Sequence, residues 1–237
     1  MFSTLVIDRR YRGPEQSGNG GWSAGLVAAP LGDRAEVTLR TPPPLEVPLD
    51  LRHDNERTSL HHGEVLVAEG ALADADLAPP PRVVTIDEAN AATTSYGGFA
   101  GHFFVGCFTC GTGRAEGDGL RIFPGPVEPG LVAAPWTPHS SICDGDGVAS
   151  TPAVWAALDC PSGWAGELSV DRPAVLGRLA VDVRRRPRSG EQLVVVGWAI
   201  EDLQKKFIAG SALQTADGEV LATGRATWVR VPLDWQG

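Results

Sequence analysis

Alternation of apolar and polar positions dominates the second half of the chain. Residues 176–183, 191–201, 207–215 and 220–231 all alternate, and period two is the mark of a strand with one buried face. Ala216-Asp217-Gly218-Glu219 separates the last two runs, and Arg188-Ser189-Gly190 precedes the second. Asp-Gly tolerates the positive φ of a tight hairpin. The supply of Val, Ile, Thr and Trp agrees with strands, and the pattern predicts a four-stranded antiparallel meander with one face on something apolar. Just upstream, residues 151–159 predict a helix. Ser150 or Thr151 serves as N-cap and Pro152 takes the first helical position, where a missing N–H costs nothing. Val154, Trp155 and Leu158 then form an apolar stripe, and Pro161 and Gly163 are expected to stop or bend the helix.

The first half repeats this plan. A strand over residues 2–10 leads to a glycine-rich turn, Ser17-Gly18-Asn19-Gly20-Gly21, and then to a small-residue helix over 22–29 halted by Pro30. Strands follow at 35–40, 45–51 and 59–72. Pro42, Pro43 and Pro44 interrupt them, which suits an edge or a bulge rather than a central strand. Pro79-Pro80-Pro81 closes the half, and residues 87–95 predict a linking helix before Tyr96-Gly97-Gly98. Strand, glycine turn, buried helix and antiparallel strands thus occur twice. The chain reads as a duplication, with one repeat over residues 1–100 and the other over 101–237.

Composition narrows the function. The 237 residues are 43% hydrophobic and 21% charged, with a net charge of −9. Such a chain lacks the basic surface of a nucleic-acid or anionic-membrane binder; only the stretch Arg184, Arg185, Arg186 and Arg188 is locally basic. No apolar run reaches the roughly 20 residues that cross a bilayer, and charge at Asp8, Arg9 and Arg10 comes too early for a secretory signal. A cytoplasmic protein is expected. Four cysteines are too few to staple a chain long enough to bury its own core. Glycine-rich nucleotide loops are absent, so no cofactor is expected.

A helix wrapped by an antiparallel sheet, present twice, is the plan of a double hotdog, an α+β fold forming an intramolecular pseudo-dimer. Local residues sharpen the match. Cys107-Phe108-Thr109-Cys110-Gly111 followed by Gly119-Leu120-Arg121-Ile122 resembles the opening of many hotdog acyl-CoA thioesterases. Leu158-Asp159 with Gly163-Trp164-Ala165 resembles the end of their central helix. Gly210-Ser211-Ala212-Leu213, Asp217-Gly218, Leu221-Ala222 and Ala226-Thr227-Trp228 resemble their last two strands. The resemblance covers about residues 104–232 and is topological over the first hundred.

That resemblance implies thioester hydrolysis. The reaction needs a carboxylate to activate water or attack directly, and N–H donors at a helix N-terminus for the developing oxyanion. In the family, a His- or Asn-Gly-Gly turn opens one helix and the acid lies along the other. Asn19-Gly20-Gly21 matches the turn in the first half, where the acid's position falls on Val27 or Ala28. Asp159 matches the acid in the second half, where Ser150-Thr151-Pro152 stands in place of the glycines. Each half keeps what the other lost. One composite site is therefore expected, with Asp159 and Asn19 as the chemical pair and Gly20, Gly21, Trp22, Ser150 and Thr151 as oxyanion or substrate-binding positions. Arg184, Arg185, Arg186 and Lys205 are the candidate contacts for coenzyme A phosphates.

Competing readings remain open at this stage. Asn19-Gly20 also suits an ordinary turn, and Asp144 or Asp146, just ahead of the second helix, is an alternative acid. Asp144-Gly145-Asp146-Gly147 lacks the further ligands of a calcium loop. Cys107-x-x-Cys110 has no second Cys-x-x-Cys or His-x₃-His, and His102, His139 and Cys143 are the other ligands weighed, so free thiols are favoured over zinc. His61-His62 puts one imidazole on each face of a strand. Ser140, Ser141, Ser162 and Ser211 lack a nucleophile-elbow context. The leading expectation is an acyl-CoA thioesterase. The alternatives are a non-catalytic acyl-CoA or lipid-binding module and, behind it, a hydratase or dehydratase, whose usual Asp-and-His loop is missing. A double hotdog is either a complete pseudo-dimer or a unit that associates further.

Overall fold

The computed structural model describes residues 1–73, 77–166 and 168–235. In chain order the elements are β1 (Phe2–Val6), α1 (Gly20–Ala28), β2 (Arg34–Leu39), β3 (Pro48–His53), β4 (Arg57–His62), β5 (Val65–Leu72), α2 (Ile86–Thr93), β6 (Gly125–Glu128), β7 (Leu131–Trp136), α3 (Thr151–Ala165), β8 (Ala174–Val183), β9 (Leu193–Asp202), β10 (Lys206–Thr215) and β11 (Val220–Arg230). All the strands share one antiparallel sheet in the order β1-β3-β4-β5-β2-β8-β11-β10-β9-β7-β6. Apart from β6, the order is a palindrome. In each half the strand before the central helix lies outermost, the strand after it lies at the middle, and a three-stranded meander fills the gap. This is a double hotdog, with α1 and α3 as its two central helices.

The seam between the halves is the β2–β8 pair, in register from Arg34↔Asp182 to Thr38↔Arg178. Arg34 to Asp182 at 2.8 Å and Arg178 to Glu36 at 3.3 Å cross it as ion pairs. Beneath the sheet lies one continuous core, in which Val37, Leu60, Trp155, Leu158, Leu179 and Leu213 are fully or almost fully buried. A second layer forms on the other side of the second half. There α2, capped by a reciprocal Thr85–Glu88 box, packs with Val84 and Ala89 against Leu131, Val194, Val196 and Trp198.

Several elements differ from the sequence expectation for clear reasons. The strand expected over 59–72 is a hairpin, β4–β5, turned at Gly63 with φ +57°. The second-half strands do not form a simple meander: β8 lies beside β11 rather than β9, because its free edge makes the seam with β2 and β9 pairs with β7. β6 and β7 were not foreseen, since β7 is an apolar run with almost every residue buried and shows no period of two. Its Pro135 is tolerated because β6 reaches only as far as Ala133, so no ladder partner awaits the missing N–H. α3 runs through Pro161 to Ala165. Side chains brace it there: Thr109 Oγ1 donates to the Ala156 carbonyl at 3.0 Å, Ser162 Oγ to the Asp159 carbonyl at 2.6 Å, and Trp228 Nε1 to Ser162 Oγ at 2.8 Å.

Candidate active site

α1 and α3 cross in opposite directions and almost touch. A Cβ on Gly21 would lie 2.6 Å from Asp159 Cβ and 2.8 Å from Ala156 Cα, and one on Gly25 would lie 2.5 Å from Pro152 Cα. Backbones approach this closely only where side chains are absent. The result is that the N-terminus of α1 faces the middle of α3. Asn19 caps α1 by accepting from the Trp22 N–H at 2.8 Å. Trp22 itself is clamped, stacked on Tyr11 with ring centroids 3.7 Å apart and edge-on to Phe108.

Asp159 meets this helix end directly. Its Oδ2 accepts from Asn19 Nδ2 at 3.0 Å and from the Gly21 N–H at 2.9 Å. Its Oδ1 is buried and has no partner among the described residues. Burial pushes the carboxyl up to about 7, a rise opposed by the Gly21 and Asn19 donors and reinforced by charge on Cys107. A carboxyl poised there both takes and returns a proton near neutral pH. The Gly20 N–H has no partner among the described residues, and Gly20 lines the groove that Asp159 faces. That amide is a donor available for an oxyanion.

The groove holds about 330 Å³ and is mainly apolar, walled by Leu39, Phe104, Trp164, Leu176, Trp228 and Val231 from both halves. Its size falls in the range of small-molecule sites. Deeper in the same wall sit three buried thiols, Cys107, Cys110 and Cys160, with His102 beside them. Cys107 is the sulfur that favours charge, held low by hydrogen bonds from Cys110 and then Cys160. Burial pushes Cys110 up and His102 down.

The sequence candidates divide cleanly. Asp159, Asn19, Gly20, Gly21 and Trp22 come together. Ser150 and Thr151 do not: they open α3 at its other end, nine residues or about 13 Å of helix from Asp159. Ser150 makes no side-chain cap, and its buried hydroxyl has no partner among the described residues. Asp144 and Asp146 form a turn at that far end, where Asp144 pairs with Arg186 at 2.7 Å. Arg184, Arg185 and Arg186 follow β8, whereas the groove takes its other end, Ala174 to Gly177. Arg184, the nearest of them, lies seven residue steps beyond Gly177, roughly 23 Å along the strand. Arg185 is engaged by Glu191 at 2.7 Å. Lys205 does not line the groove, although its carbonyl accepts the N–H of Arg230, the residue before groove-lining Val231. Sequence reasoning missed Arg40, which lines the groove, and Cys160, adjacent in sequence to the acid.

No family model and no curated protein matches this sequence. Solved structures do match. A tesB protein of Mycobacterium avium subsp. paratuberculosis superposes with a TM-score of 0.62 at 12% identity, over 98% of this chain and 93% of the other. A proposed thioesterase of Novosphingobium aromaticivorans gives 0.61 at 16%, over 98% and 96%. A hotdog-fold protein of unknown function from Alicyclobacillus acidocaldarius gives 0.53 at 11%, over 98% and 93%. The chain thus shares the double-hotdog fold of these structures over nearly its whole length. No helix among the described residues is long and apolar enough to cross a membrane.

Proposed function

We propose that the protein hydrolyses an acyl thioester, with acyl-CoA as the substrate class. The observation that carries this reading is the convergence of Asp159, Asn19 and the N-terminus of α1 on one apolar groove. The acyl chain lies along the apolar wall and the thioester carbonyl points at the Gly20 N–H. Asp159 takes a proton from a water as its oxygen attacks the carbonyl carbon. The oxyanion collapses, the C–S bond breaks, and Asp159 returns the proton to the leaving thiolate, so one water is consumed and a carboxylic acid and a thiol are released. Asn19 holds the carboxylate and caps the helix whose dipole favours the oxyanion. Direct attack by Asp159, through an anhydride that water then opens, uses the same groups. Arg40, which lines the groove and is paired with Glu69, is the cation best placed for coenzyme A phosphates.

The test is thiol release across acyl-CoA chain lengths, wild type beside Asp159→Asn. Hydrolysis abolished in the variant with ligand affinity kept supports the reading; equal turnover defeats it. One observation favours a second reading, a binding module without chemistry: the Gly21 N–H, the other natural oxyanion donor, is spent on Asp159 itself. Acyl-CoA binding with no thiol release at any chain length would select that reading.

A further inference from the structure

Three sulfurs that thioester hydrolysis leaves idle lie together in the groove wall. Cys107 and Cys110 come from the coil between α2 and β6, and Cys160 comes from α3. Their Sγ atoms all lie within 4.8 Å of one another, with Cys107 and Cys160 3.6 Å apart. All three are buried and none forms a disulfide. A tetrahedron with Zn–S bonds of about 2.3 Å sets its sulfurs roughly 3.8 Å apart. The coil and the helix thus hold three soft donors near the spacing a metal demands, across a sequence gap of fifty residues.

The surroundings suit thiolates. His102 Nδ1 accepts the Phe104 N–H at 2.9 Å, which leaves Nε2 as the protonated nitrogen, and Nε2 lies 3.3 Å from Cys110 Sγ. Asn19 Nδ2 lies 3.7 Å from Cys107 Sγ. The Trp164 indole N–H is buried in the same cluster without a partner among the described residues. Donors of this kind surround metal thiolates and fix their orientation. On the groove side, Arg40 is the one Lys or Arg among the described residues lining the groove, and it is engaged by Glu69.

We propose that Cys107, Cys110 and Cys160 bind a thiophilic divalent cation, zinc, as three thiolate ligands, with the fourth position open to the groove. Three S–H protons leave to solvent as three Zn–S bonds form. The resulting centre carries one net negative charge, which the N–H groups of His102 and Asn19 stabilise. His102 is a positioning residue, since its Nε2 proton points at sulfur. All three cysteines line the groove, which supplies the entry path. The open position takes a water or a soft donor from whatever occupies the groove. This departs from the free-thiol expectation because Cys160 adds a ligand that no spacing motif announces.

The test needs no turnover, so its failure is separate from failure of the hydrolase reading. The full chain, stripped by chelator under reducing conditions, is titrated with cobalt(II) and then zinc. One cobalt per chain is expected, with a thiolate-to-cobalt charge-transfer band of three-sulfur intensity that zinc displaces. Cys160→Ser and Cys110→Ser, each checked for fold by circular dichroism, should lose the band. Cys143→Ser should keep it, because Cys143 is half-exposed and lies apart from the cluster. His102→Gln should keep the stoichiometry and weaken binding about 10–100-fold. The proposal is overturned by a wild type that takes up no cobalt, by a band that survives in folded Cys160→Ser, or by a metal-free Cys107–Cys160 disulfide as the stable form.

Discussion

The two central helices pack against each other in opposite directions and begin in different chemistry. α1 opens with Asn19-Gly20-Gly21, its cap made by a side chain and its second amide held by Asp159. α3 opens with Ser150-Thr151-Pro152, makes no side-chain cap, and runs into the backbone space left by Gly25. Opposite the first end lies an acid; opposite the second lie small apolar residues of α1. A pseudo-two-fold architecture offers two grooves, and the helix-to-helix contact at each end decides which can carry a charge. The lesson is that the glycines serve the packing at both ends, whereas the cap and the acid serve only one.

Five substitutions test that asymmetry. Asp159→Asn keeps the volume and both hydrogen-bond partners within reach, yet it should lower turnover about 10²–10⁴-fold in the thiol-release assay with acyl-CoA affinity within a factor of a few. Gly21→Ala places a methyl 2.6 Å from Asp159 Cβ and should cost about 3 kcal/mol in urea unfolding, as overpacking does. Gly25→Ala should cost a similar amount at the other end, and comparing residual turnover of the two variants shows which helix contact sets the site. Asn19→Ala removes the cap and one carboxylate donor; about 1 kcal/mol of stability and a drop of roughly tenfold in turnover are expected. Ser150→Ala, its formal counterpart, should change stability by under about 0.5 kcal/mol, since its hydroxyl makes no bond that the change would break. Equal losses for Asn19→Ala and Ser150→Ala would break the comparison.

The legible part of this fold was the part with a period or a turn signal. β8 and β11 alternate over part of their length, and Arg188-Ser189-Gly190 and Asp217-Gly218 bracket β9 and β10, although Leu193–Trp198 of β9 is buried on both faces. α1 and α3 carry their start signals in the sequence, so these places were readable to within a few residues. β7 was not, because α2 covers one face of it and the core the other, which erases alternation. The Asn19–Asp159 pairing was readable through the resemblance, which sets a glycine turn on one helix against an acid on the other. Cys160 escaped for the opposite reason. Ligand spacing rules assume donors close in sequence, and here a helix supplies the third sulfur to a distant coil. The arginines after β8 misled because composition records how many cations there are and not at which end of a strand they fall.

The β2–β8 seam has a further consequence. In a dimer of identical single hotdogs, every substitution enters twice and the interface must complement itself. Here the partner of each residue across the seam is a different residue: Arg34 meets Asp182, and Glu36 meets Arg178. The tether also keeps the second half at a high effective concentration whatever the dilution. Each position is therefore mutated singly, in a partner that cannot leave. A substitution reaches one groove without its copy in the other, so an acid can stand at one helix end while the other end is given over to packing.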